Sequence, residues 1–392
     1  MTATASHPVP ERLRRATGRA LVAGGIGIAL CAIGGFLNPA EAFRSYLFAF
    51  LFWAGVPVGC LSLLLIQNLT GGRWGLLMRR VLEAGTRTLP FVAAAFLPIL
   101  AGLSYIYEWA DPAFAAGDEI LAHKRAYLNP AFFAVRAVFY FAVWNALAHF
   151  LSAWSLRLDA GPDRRLERRM RGLSGGGLVL LGLTITFSSI DWGMSLDPHW
   201  FSTIYGILFM VGQVLSAFTL TIVVIARLGD EEPFKRVLRR DTTHDFGKLL
   251  FAFIMLWAYV HLSQFLIVWS ANLPEEIPWY MRRTKDGWLY VAWVVIAVHF
   301  VAPFLALLSR DLKRNLQRLG TIAAMVFGAR LLDLFWLVAP SLDRHHLAVH
   351  WTDAAALVGL GGLWLAAFTR ELAGRSLVPL NQPELETQGG HA

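Results

Sequence analysis

The chain has 392 residues, of which 56% are hydrophobic and only 16% charged, with fifteen tryptophans and a formal net charge of +8. Soluble domains carry about 25% charged residues and divide into separate cores well before this length, so a water-soluble globule is excluded. The two cysteines, Cys31 and Cys60, lie apart inside apolar runs with no CxxC or CxxCH, which excludes a conventional iron–sulfur ligand set and covalent c-type haem on this chain.

Ten runs are long enough to cross a hydrocarbon core of ~30 Å as helix. Lipid offers no partners to unpaired backbone, and the runs lack the alternation of a membrane barrel, so the expected fold is an all-α polytopic membrane protein. The first run, Thr17–Leu37, has no small-residue cleavage site and reads as a retained signal anchor. The second is Tyr46–Leu69, and the third, Thr88–Glu108, closes on a carboxylate. The fourth, Ala131–Leu156, holds Arg136 just inside its outer end and His149 deeper. The fifth, Ser174–Ile190, is the shortest; its opening SGGG fits close helix packing better than phosphate binding, and Thr184, Ser188 and Asp191 form a polar line toward the outer surface.

The sixth run is Ser202–Ala226. The seventh, Phe246–Ala271, repeats Trp257, His261, Gln264 and Asn272 on one helical face, predicted to point inward. It stops at NLPEEIPWY, where Pro274 and Pro278 end the helix and Trp279 and Tyr280 suit the headgroup belt. Glu275 and Glu276 either face a partner protein there or form a solvated turn. The eighth, Trp288–Ser309, carries His299 at mid-depth, and the ninth, Leu319–Pro340, places Arg330 and Asp333 three apart on one face. Asp353 enters with the tenth, Trp351–Thr369, and residues 371–392 form a polar tail.

Charge sets the orientation. The amino terminus, the even-numbered connections and the carboxyl terminus together hold 24 of the 35 Lys and Arg, against seven in the alternate connections and four, Arg19, Arg136, Lys248 and Arg330, inside runs. That bias puts both termini in the cytoplasm. The basic stretch GPDRRLERRMR is then a loop beside anionic lipid rather than a nucleic-acid site. No Walker A or GxGxxG sequence is present.

Short matches recur four runs apart, about 150 residues on: SLDPH (Ser195–His199) with SLDRH (Ser341–His345), ALAHF (Ala146–Phe150) with IAVHF (Ile296–Phe300), and YEWADP with VWSANLP. They predict two parallel four-helix bundles, 46–190 and 202–340, related by a pseudo-twofold axis along the membrane normal, with 17–37 and 351–369 peripheral. A charge at mid-bilayer costs at least ~2.5–3.5 kcal/mol and needs a partner, a wet cavity or a function. The candidates for a proton pathway are His149, Asp191, His261, His299, Arg330, Asp333 and Asp353. Those for contact with a quinone are Asp191, His199, Gln264 and His299. Arg330–Asp333 as a structural ion pair, and the histidines as satisfied core residues, are the competing readings.

SLDPHWFSTIYG (Ser195–Gly206), WAYVHLSQFLIVWSANLPEEIPWYMRR (Trp257–Arg283), HFVAPFLALLSRDLK (His299–Lys313) and ARLLDLFWLVAPSL (Ala329–Leu342) resemble the F-type membrane subunit of bacterial alternative complex III, in the polysulfide-reductase-type (NrfD-like) membrane family. The resemblance covers nearly all ten runs. It implies a subunit of a quinol-oxidising respiratory complex in a bacterial cytoplasmic membrane, with quinone or menaquinone as the possible ligand and no catalytic residue or metal of its own. The partners it implies are a homologous ten-span sister subunit, an iron–sulfur subunit, haem c subunits, small membrane subunits and lipid. The positions it carries over are Asp191, His199, His261, Gln264, Glu275, Glu276, His299, Arg330 and Asp333, with His261 standing where many relatives are expected to have phenylalanine. From the residues alone, a stand-alone proton-coupled transporter and a structural scaffold remain open.

Overall fold

Backbone N–H and C=O groups in hydrocarbon must be satisfied within the segment that carries them, and this chain does so with helix almost throughout and no β-strand among the described residues. The computed structural model describes residues 11–115, 117–342 and 347–379. Asp343, Arg344 and His345 of the repeated SLDRH, and residues 380–392 of the tail, lie outside the described residues.

Ten helices are long and apolar enough to cross a membrane: α1 (Glu11–Leu37), α2 (Pro39–Thr70), α3 (Arg73–Ala101), α4 (Pro130–Asp159), α5 (Arg164–Leu196), α6 (Tyr205–Leu228), α7 (Arg240–Ala271), α8 (Trp288–Leu308), α9 (Leu316–Ser341) and α10 (Trp351–Ala373). The protein is an all-α polytopic membrane protein. Several starts are fixed by side-chain caps, as expected of Asn and Asp: Asn38 accepts from Glu41 N–H, Asn129 from Phe132 N–H and Asp163 from Leu166 N–H.

Two boundaries correct the sequence reading. The basic segment before Thr88 is not a loop but the first half of α3, and Arg79, Arg80 and Glu83 in it are buried. Arg80 donates to Glu83 at 2.6 Å and to Asp159 at the end of α4, while Arg79 donates to Gln67 at 2.8 Å. Charges that mark a loop in sequence here neutralise one another inside the protein. The helix α5 likewise begins ten residues earlier than expected, at Arg164. Of its SGGG, Ser174 and Gly177 meet α2 and α4, whereas a side chain at Gly176 would find open space.

Helix neighbours repeat in pairs. Each of α2 and α6 packs on the helix that follows it and on the last helix of its own group, α5 or α9; α4 lies on α5 as α8 lies on α9. The two groups meet where α2 packs on α6, and α5 crosses to α6 as α9 crosses to α2. Arg12 at the start of α1 pairs with Glu231 after α6 at 3.6 Å, and Arg87 pairs with Glu371 near the end of α10 at 2.5 Å. Both described ends of the chain therefore lie on the arginine-rich side.

The outer pair, α1 and α10, touches through glycine. A side chain on Gly27 would strike the backbone of Gly359, and one on Gly24 the backbone of Leu363. Association of helices in lipid depends on such close backbone approach. Thr17 and Thr369 add a hydrogen bond of 2.8 Å between them, and Ser45 on α2 reaches Thr352 at 2.7 Å. Gly27→Leu is expected to detach α1 from α10, lowering the melting temperature in detergent and exposing the connection after α1 to protease, whereas Gly25→Leu, which meets nothing, should melt like the parent.

Candidate functional site

Proline at 303 has no N–H to give to the carbonyl four residues back, that of His299. The turn around His299 is accordingly wide: Ile296–Val301 forms a π-helical segment within α8, a distortion common at functional positions. His299 is turned fully inward, and neither ring nitrogen has a hydrogen-bond partner. Its ring centre lies 4.2 Å from that of Trp257 on α7, and the ring centre of His261 lies 4.3 Å from the same indole.

Trp257 joins these rings to a carboxylate. Its Nε1–H donates to Asp333 Oδ2 at 3.0 Å, and Arg330, one turn back on α9, donates to the same oxygen. Asp333 is completely buried and Arg330 nearly so. A buried charge persists only when paired and hydrogen-bonded; Arg330 supplies the opposite charge and Trp257 a further donor. The second oxygen, Oδ1, is 3.3 Å from His261 Nε2 without hydrogen-bond alignment, so both atoms are unsatisfied. Leaving a buried polar atom unpaired costs about 1–3 kcal/mol; both nitrogens of His299 are left so, while His261 Nε2 and Asp333 Oδ1 meet each other only at ion-pair distance.

One turn beyond His261, Gln264 is buried and accepts from Ser202 Oγ at 2.7 Å, while its amide nitrogen has no partner. Ser202 is half-buried, in the connection before α6. The predicted inward face of α7 thus holds for Trp257, His261 and Gln264; Asn272 does not belong to it. Asn272 is exposed and ends α7 in the left-handed conformation, with φ 51°.

Other candidates lie elsewhere. Asp191 is held in a separate cluster: Arg136 grips both its oxygens at 2.9 Å, and Tyr140 donates to it at 2.7 Å. The hydroxyls expected to lead away from it are turned to their own helix, with Ser188 donating to Ile185 C=O and Thr184 to Leu181 C=O. His149 is exposed on α4, unlike His299, its counterpart in the repeat. Asp353 is buried and closes a capping box with His350. His199 is at the surface, 2.7 Å from Asp118, whose carboxyl is held below its ordinary value chiefly by the Leu121 N–H, with His199 adding to this. The four quinone candidates are therefore spread over three places; only Gln264 and His299 share a bundle.

The NLPEEIPWY segment is also placed differently. Pro278 begins a short helix, Ile277–Thr284, instead of ending α7. Trp279 is buried rather than lodged in a headgroup belt: it stacks on Trp200 at 4.8 Å, and Arg283 lies over its ring at 3.5 Å. Arg283, unremarked in sequence, donates to Trp279 C=O, Leu337 C=O and Ser341 Oγ. Burial pushes it down to about 9, which leaves it protonated at neutral pH. Glu275 is exposed and Glu276 half-buried.

Among the described residues no three His, Cys, Asp or Glu side chains converge as a metal ion would require. A cavity among α2, α4, α5 and α6 is about 10 Å³, room for one water and not for a quinone ring. The chemistry within reach of the Asp333 cluster is proton exchange, since the His261 imidazole stands 3.3 Å from a buried carboxylate. No protein-family model matches this chain, and neither does any curated protein.

Proposed function

We propose that this chain is a membrane subunit of a quinol-oxidising respiratory complex of the alternative complex III type, in a bacterial cytoplasmic membrane, and that it carries a proton route while partner subunits carry the electrons. The observation that bears most weight is the buried constellation of Asp333, Arg330, Trp257, His261 and His299, with unpaired imidazole nitrogens beside a charged carboxylate. Structural ion pairs are normally closed on all sides; this one faces His261 through Oδ1 of Asp333, with His299 packed on the Trp257 that donates to Oδ2. Gln264, with a free buried amide donor, and Ser202 extend the polar series away from the arginine-rich side of the molecule and suit a quinone carbonyl. The repeated helix neighbours support a parallel duplication, in which only the second copy keeps the buried histidine. The family resemblance supplies the electron-carrying partners: iron–sulfur and haem c subunits and a ten-span sister.

Affinity purification in mild detergent tests the assignment. Absorbance of c-type haem and iron–sulfur clusters is expected to co-purify with this chain. A colourless chain purified alone, moving protons with a solute in vesicles, would establish a transporter instead. Within the assembled complex, His299→Ala should retain the partners and lose most quinol-driven acidification; unchanged acidification would leave a scaffold.

A further inference from the structure

A crevice of about 430 Å³ opens at the arginine-rich end of the molecule, between the beginning of the apolar part of α3, the second half of α4 and the end of α10. Two guanidinium groups, Arg87 and Arg375, and the Glu371 carboxylate line it. Arg375 donates to Ser152 Oγ at 2.8 Å, and burial followed by the charge of Arg87 holds Arg375 below its ordinary value. Arg87 is tied through Nε to Glu371, but its Nη1 is shielded from solvent and has no partner. The opposite wall is Pro90, Ala153 and Leu156, and His149 completes the rim. His149 and Phe150 are exposed in the body of a membrane-crossing helix, so the opening faces lipid as well as the aqueous boundary.

We infer that this crevice binds the phosphodiester headgroup of an anionic phospholipid, with the phosphate between Arg87 and Arg375 and the first acyl carbons along Pro90, Ala153 and Leu156. Arg87 has Glu371 at 2.5 Å and Arg375 has Glu83 at 3.9 Å, yet Nη1 of Arg87 stays without a partner, and a phosphate between the two guanidiniums would supply the further charged acceptor. Basic pockets between helices at the cytoplasmic boundary are the usual seat of such headgroups. The exposed His149, which has no role in the proposed proton route, becomes a rim group that donates to phosphate oxygen or glycerol hydroxyl. The inference stands apart from the respiratory assignment and survives its failure.

The test uses the full chain, with whatever subunits accompany it, stripped of lipid and titrated with cardiolipin, phosphatidylglycerol or phosphatidylcholine under native mass spectrometry. The anionic lipids are expected to bind in preference to phosphatidylcholine. Arg375→Gln should weaken them about fivefold, the effect of one interfacial cation. Ala153→Phe, which alters no charge and no hydrogen bond, should block the crevice and abolish the preference. Arg87→Gln is a poorer probe because it strands Glu371. Equal binding of all three lipids, or unchanged binding by both variants, overturns the inference. Displacement of cardiolipin by millimolar inorganic phosphate overturns the lipid as the source and assigns the site to a soluble phosphate.

Discussion

Asp333→Asn is expected to abolish quinol-driven proton movement in the assembled complex and to lower the stability of the chain by about 3–5 kcal/mol, the usual consequence of stranding one member of a buried ion pair. The carboxylate accepts from Trp257 Nε1 and Arg330 with one oxygen and faces His261 with the other. An amide can accept on one atom only, so its NH₂ must meet either the cation or the imidazole, and Arg330 is left buried without countercharge. Stability and function are separable here. Arg330→Gln combined with Asp333→Asn removes both charges and should recover most of the lost melting temperature, because a neutral pair needs no desolvated countercharge. Proton movement should stay lost in the double variant, since no titrating carboxylate remains beside His261. Vesicle acidification and thermal melting, measured on both variants, read the two quantities. Recovery of both together would make Arg330–Asp333 a structural pair and remove the centre of the proposed route.

The number of helices and their broad limits were legible because hydrocarbon thickness imposes a length on every crossing and composition follows it. Burial of His299, Arg330 and Asp333 was legible for a related reason: the cost of exposing them to lipid is large, and the spacing of Arg330 and Asp333 places them on one face. Pairing between distant segments was not. Arg79, Arg80 and Glu83 resemble a solvated turn until Asp159, from another helix, is brought against them. Trp279 resembles an interfacial anchor until Trp200 stacks on it. His149 and His299 occupy equivalent positions in the repeated sequence, but α4 turns its histidine outward and α8 turns its own inward. Local sequence carries depth and face; it does not carry which neighbour covers the face.

The cluster around Asp191 gives the sharpest case of a partner that spacing could have revealed. Arg136, Tyr140 and Trp144 recur every four residues on α4, and Thr184, Ser188 and Asp191 line the facing stripe of α5. The two stripes close on one another: Arg136 and Tyr140 on Asp191, and Trp144 Nε1 on Thr184 Oγ1 at 2.9 Å. Asp191→Ala is expected to destabilise the protein by about 3–5 kcal/mol through the uncompensated guanidinium, with about 1 kcal/mol more from the unpaired Tyr140 hydroxyl. Arg136→Lys should recover little, because an ammonium cannot grip both carboxylate oxygens. Arg136→Met with Asp191→Leu should restore melting nearly to the parent value, as apolar replacement of a buried pair often does. Quinol-driven proton movement should also persist in that double variant, because Asp191 is closed by three donors and stands outside the Asp333 cluster. A stable Arg136→Met, Asp191→Leu protein that no longer acidifies vesicles would return Asp191 to the proton pathway and show that the first bundle, not only the second, conducts.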